Sequence, residues 1–177
     1  TSLTLVNSTV SLNAAESGSG PAAGGGLYTG GTSTSLAHVT MDGNRADGGA
    51  GSVGGNVLGY GGGVSFRATI VSAGVGDPGA EQCETLGGPL NSLGSNLEAP
   101  AVGGASQCGF APAAGARLAS TAGLTPLADR GGPTLTHALF SSSPALDAIP
   151  SCFPYTTDQR GQPRPGGVAC ELGSFER

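Results

Sequence analysis

If this chain performs chemistry, its carboxylates are the first residues to consider. Hydrolysis of a glycosidic bond needs two carboxyl groups facing one cleft. Lyase chemistry needs a base, often arginine or lysine, beside acidic residues that hold calcium. The first half of the chain offers Glu16, Asp42, Asp47 and Asp77. Asp42 and Asp47 flank Arg45 in one turn, which makes them the best local cluster and the one place for a weak calcium site. A solvated loop ion pair is the plainer reading, since no EF-hand loop or calcium nonapeptide accompanies them. His38 and His137 stand singly and are expected to be structural. Serine is abundant, but no G-x-S-x-G elbow frames a nucleophile. Gly24-Gly25-Gly26 and Gly61-Gly62-Gly63 lack the lysine and helix of a phosphate loop, so they are turns. Thr32, Thr34 and Thr40 form no coil-spaced row for binding ice or a crystal face. No catalytic residue and no cofactor are expected.

The elements that position these residues follow from composition. Glycine (34) and proline (12) make up about a quarter of 177 residues, yet aliphatic residues are plentiful and only 11% are charged. Disordered chains carry more charge, so a single folded domain rich in tight turns is expected. The net charge is -5 and the seven basic residues, all arginine, are scattered. Nothing here would neutralise a run of phosphates, which excludes a nucleic-acid partner. No apolar run approaches the roughly 20 residues of a membrane span. The chain opens directly on a strand pattern and so reads as a piece of a longer exported protein, with its signal upstream.

All four cysteines, Cys83, Cys108, Cys152 and Cys170, lie in the second half and show no metal-ligand spacing. Of three possible pairings, Cys83–Cys108 with Cys152–Cys170 is favoured, each bridge stabilising by roughly 3 kcal/mol if unstrained. Disulfides imply an oxidising compartment. Four buried thiols in a cytosolic protein are the alternative.

A pattern repeats along the first half. Ser8 to Asn13, Ala37 to Asn44 and Arg67 to Ser72 are similar segments, recurring roughly every 30 residues, within the range of stacked repeats. Between them lie the glycine-led pairs Leu27-Tyr28, Val57-Leu58 and Val64-Ser65-Phe66. Glycine disfavours helix by roughly 1 kcal/mol per position relative to alanine. Short strands stacked coil on coil are therefore expected: an all-β, pectate-lyase-like right-handed parallel β-helix of few coils over residues 1–80. Asn7, Asn13, Asp42, Asn44 and Asn56 suit the bends and could bond coil to coil; ordinary turn usage in a β-sandwich is the alternative. From about Thr69 the pattern breaks, and Gly103 to Gly115 reads as a surface excursion.

The tail is more distinctive. It runs LTPLADRGGPTLTHAL from Leu124 to Leu139, SPALDA from Ser143, TDQRGQPRP from Thr157 and ACELGSFE from Ala169. These ordered motifs resemble the choice-of-anchor Q domain at the C-terminal end of bacterial β-helix surface proteins. The resemblance covers residues 80–177 well and the first 80 loosely. It implies a secreted or cell-surface protein and brings no catalytic residues. Residues 81–177 then form the last coils and an irregular, disulfide-pinned cap. In that cap Leu135, Leu139, Leu146, Leu172 and Phe175 are expected to pack on the final coil, and Asp158 and Arg160 to be structural charges. The expected role is a non-enzymatic structural or adhesive module. Its expected partners are other extracellular chains, copies of itself through exposed strand edges, or a glycan. The competing expectation is a polysaccharide-degrading or glycan-binding β-helix.

Overall fold

The structure, a computed structural model, describes residues 1–101, 104–152 and 154–177. Among them there is no α-helix, and a short 3-10 turn spans Pro112–Ala114. The strands in chain order are β1 (Ser2–Ser11), β2 (Ala14–Glu16), β3 (Leu27–Gly30), β4 (Ser33–Asp42), β5 (Arg45–Asp47) and β6 (Val57–Tyr60). They continue with β7 (Val64–Arg67), β8 (Ile70–Ser72), β9 (Cys83–Leu86), β10 (Leu90–Ser92), β11 (Leu97–Ala99) and β12 (Arg117–Leu118). All pairings between these strands are parallel. Parallel neighbours need a crossover rather than a hairpin, and here each crossover is a circuit of the chain. β1, β4, then β7 with β8, β10 with β11, and β12 stack in one sheet. β3, β6 and β9 stack in a second, β2 and β5 in a third. The fold is a parallel β-solenoid of about three turns.

Strand side chains normally alternate between faces, yet Leu36, Val39 and Met41 all belong to one core. The alternation resets at His38, whose φ of 51° is left-handed. Asn7, Ala68 and Ser95 hold the same conformation at the matching points of the other rungs, with φ of 46°, 49° and 52°. Each such residue costs about 1–2 kcal/mol. Together they form the corner that folds the large sheet into two walls.

Inside the coils the bends are tied by amides. Asn13 Nδ2 donates to Asn44 Oδ1 (2.9 Å), Asn44 Nδ2 to Asn56 Oδ1 (2.7 Å), and Asn56 Nδ2 to Gln82 Oε1 (2.7 Å). Their second amide hydrogens go to the carbonyls of Ser11, Val10 and Ser72. Asn44, Asn56 and Gln82 are buried, and this pairing makes their burial tolerable. Two glycines make room for it. A Cβ on Gly26 would stand 2.8 Å from Asn44 Cγ, and one on Gly74 2.8 Å from Asn56 Nδ2.

One end of the core is closed by the segment leading to β12. Phe110 meets Phe66 edge to face, ring centroids 5.1 Å apart, beside the Cys83–Cys108 disulfide. The buried Glu98 carboxylate orders this lid by accepting from Ser106 Oγ and from the amides of Gln107 (2.8 Å) and Cys108 (3.3 Å). The expected surface excursion holds for Ala111 to Gly115, which face solvent, and is corrected for Cys108 and Phe110, which are buried. Gly103 lies outside the described residues. A solenoid's last turn leaves an apolar opening, and these side chains fill it.

The tail does something else. Ala122, Leu139, Ala145 and Leu172 pack on the outward-facing Ala68, Ile70, Leu97 and Ala99, pinned by the Cys152–Cys170 disulfide. Burying Ile70 and Leu97 stabilises by about 1.5–3 kcal/mol each. The tail also reaches the first rung, where Asn7 Nδ2 donates to the Thr157 carbonyl (2.8 Å) and Thr9 Oγ1 to Gln159 Oε1 (2.7 Å). The expected packing of tail residues on the final coil alone is corrected accordingly. Leu139 and Leu172 cover the flank, Leu135 is 50% exposed, and Phe175 lies under the Arg160 guanidinium. The end opening was already filled, whereas the apolar flank still needed a cover.

Candidate functional site

Of the Asp42, Arg45, Asp47 cluster, the solvated ion pair forms between Arg45 and Asp47, while Asp42 stands apart. Arg45 pairs with Asp47 on its own strand and with Glu16 on β2, both at 2.9 Å and in the open. Asp42 precedes the Gly43 corner and lies on the other side of it, 3.9 Å from His137 Nε2. Adjacent positions in sequence are thus divided between two walls. Among the described residues no three His, Cys, Asp or Glu side chains converge, so the weak calcium reading finds no shared cradle at Asp42 and Asp47.

The corner brings together a group that the sequence keeps far apart. Ser11 Oγ lies 2.8 Å from His137 Nε2, and His137 Nδ1 lies 2.7 Å from the Thr125 carbonyl. That carbonyl can only accept, so Nδ1 carries a proton. The order of serine, histidine and orienting oxygen resembles a nucleophile and its base. However, His137 is only 3% exposed and the contact is the seam between tail and solenoid. A substrate carbonyl could not approach Ser11 along the imidazole, and the group acts as a staple.

A second buried cluster holds the tail together. Asp158 accepts from the amides of Arg160, Gln162 and Glu176 and pairs with the Arg160 guanidinium at 2.8 Å. Arg164 binds Glu176 at 2.5 Å and donates to the carbonyls of Thr157, Glu171 and Gly173. Burial pushes the Glu171 carboxyl up to about 8, helped by the neighbouring Glu176. Glu171 therefore keeps its proton near neutrality. Adjacent carboxyls are what acid–base chemistry uses, but here both Glu171 and Glu176 are buried. Asp158 and Arg160, expected as structural charges of the tail, pair with each other, whereas Arg164, Glu171 and Glu176 gave no separate signal.

Two further features stand apart from these clusters, one exposed and one buried. Tyr28 on β3 and Tyr60 on β6 lie with near-parallel rings, 18° between planes and centroids 6.3 Å apart, each about half exposed. Gly30 is in register with Tyr60, and the Tyr28 ring leans over it, its Cε1 3.5 Å from where a Cβ would stand. Neither phenol hydroxyl has an intrachain partner among the described residues. Leu86 on β9 is in register with Tyr60 and extends the apolar strip. The other feature is His38. Its ring is buried edge-on to Tyr155, centroids 5.4 Å apart, and Nδ1 has no partner. Burial, reinforced by Arg164, lowers its pKa to about 3.

No known protein family, curated protein or solved structure matches the chain.

Proposed function

We propose that the chain is a non-enzymatic module of a bacterial surface protein, of the choice-of-anchor Q type, serving as a rigid, oxidised segment for display or adhesion outside the cell. One observation carries this reading: the side chains with catalytic potential are committed to holding the tail against the solenoid. Ser11 and His137, and Arg164 with Glu176, make seam or hub contacts rather than line an open cleft. Two disulfides suit an oxidising compartment, and no helix of the described residues is long and apolar enough to cross a membrane. Among the described residues the ten-residue β1 pairs with β4, and strand edges of such a stack are where another extracellular chain or a second copy can add. Antibody labelling and thiol titration of intact cells expressing the protein test the proposal. The expected result is surface labelling with no free thiol. Confinement to the cytosol, or turnover of a uronic-acid polymer by the purified protein, would overturn it.

Glycan binding is the second reading, favoured by the Tyr28, Tyr60 and Leu86 strip. Aromatic faces pack on the apolar faces of sugar rings, and the two free phenols supply hydroxyl recognition. Affinity electrophoresis through soluble polysaccharides should show retardation that the Tyr28→Ala/Tyr60→Ala double variant loses. Equal mobility of both proteins in every polysaccharide tried would refute this second reading.

A further inference from the structure

The outward face of the sheet that carries β1, β4, β7 and β10 holds a trough of about 460 Å³. Side chains alternate along a strand. Ser35 lies between the buried Thr34 and Leu36, and Ser65 between the buried Val64 and Phe66, so both serines point out. Thr4 and Asn91 stand in register with them, which makes one column of Thr4, Ser35, Ser65 and Asn91 across four rungs. Ser2, in register with Ser33, begins a second column beside it. All six residues are exposed or half-buried and line the trough. None of their side chains makes a hydrogen bond among the described residues, whereas Thr9, Ser11, Ser52 and Ser143 are spent within the chain. No acidic or basic side chain lines the trough, and Pro89 and the half-exposed Leu93 add apolar surface.

The chemistry of this lining selects its ligand. It has no carboxylate for a metal ion and no cation for a phosphate. A purely apolar guest would strip water from the hydroxyls and leave them unpaired. A polyol matches them, because each serine or threonine hydroxyl both donates and accepts, and sugar C–H groups can rest on Pro89 and Leu93. Shape narrows the choice. Four rungs span about 14 Å along the coil axis, three spacings of about 4.8 Å, whereas the two columns stand only about 7 Å apart. We propose that the trough binds a neutral glycan in a straight, ribbon-like form, its chain running along the coil axis with hydroxyls on Thr4, Ser35, Ser65 and Asn91. The site lies on a different sheet from Tyr28 and Tyr60, and it depends neither on that strip nor on surface display.

Cellotetraose and maltotetraose, built from the same glucose units, are the probes; the linkage keeps the first chain straight and coils the second. Each is titrated by calorimetry into the parent protein, into Ser35→Ala/Ser65→Ala and into Tyr28→Ala/Tyr60→Ala. Cellotetraose should bind the parent at least about fivefold tighter than maltotetraose, as expected for one more hydrogen bond made. Ser35→Ala/Ser65→Ala, at two outward positions, should weaken cellotetraose by about tenfold at an unchanged Tm. The tyrosine variant should bind it as the parent does. The proposal is overturned if the two tetrasaccharides bind alike, if neither binds at tens of millimolar, if the serine variant binds as the parent does, or if the tyrosine variant loses binding. That last result would move the glycan to the Tyr28 and Tyr60 strip and leave the display reading untouched.

Discussion

Single residues decide how the inside of this solenoid tolerates polar groups. Asn56 is the clearest case, because its amide joins two partners, Asn44 and Gln82, that would otherwise be buried and incomplete. Asn56→Ala should destabilise by about 2–4 kcal/mol, with more than one orphaned amide contributing, measured as a lower urea midpoint at unchanged slope. Asn13→Ala, at the exposed end of the ladder, should lose under about 1 kcal/mol in the same measurement. Two other residues set opposite pH limbs. Glu171 is raised in the folded state, so its share of stability is full below its ordinary pKa of 4.5 and is lost as pH rises to about 8. His38 is lowered from 6.5 to about 3, so its share is full above 6.5 and is lost as pH falls towards 3. Glu171→Gln, which mimics the protonated acid, should therefore flatten the alkaline limb between about pH 5 and 8 and leave the acid limb in place. Thermal melts across that range read the difference, and a parallel shift at every pH would contradict the assignment.

At the scale of elements, the lid is the part whose removal has a defined local result. Phe110→Ala should cost about 3–5 kcal/mol and expose the Phe66 end of the core to a hydrophobic dye such as ANS. A variant that keeps both stability and dye silence would show that the opening is closed by something else. The elements also show why sequence reading succeeded where it did. β1, β4, β7 and β8 were visible because Val10, Val39 and Ile70 recur at nearly constant spacing, with asparagine and glycine at the bends between. β9, β10 and β11 pair in the same sheets, but shorter corners bring Leu90 under Val64 sooner than the earlier spacing predicts, and the repeat was lost after Thr69. Asp42 and Arg45 looked like partners because sequence distance hides a sheet corner. Cys108 and Phe110 looked exposed because their neighbours, Ala111 to Gly115, are small and solvent-facing.

For the whole molecule, the tail changes how the coils behave together. Stacked repeats ordinarily contact only their neighbours and can unravel from one end. Here one segment bonds to Thr9 on the first rung, Thr40 on the second and, through Arg117, β12 at the far end. Urea unfolding should therefore be a single transition by both backbone and Tyr155 signals. Arg164→Gln, which removes the hub, should separate the two signals, and coincident curves in that variant would mean the strap is not what couples the coils. The ladder also tapers: Ser2 pairs with Ser33, Val64 with Leu90, and Leu97 with Arg117, so successive circuits shorten from about thirty residues to about twenty. A cone of this kind has a grammar of growth. Duplicated circuits can be inserted where perimeters match, among the wide rungs, but a copy added below the narrowest one would find no ring of equal girth to rest on. The disulfide-bearing apex thus sets the phase from which any lengthening of the stack must be counted.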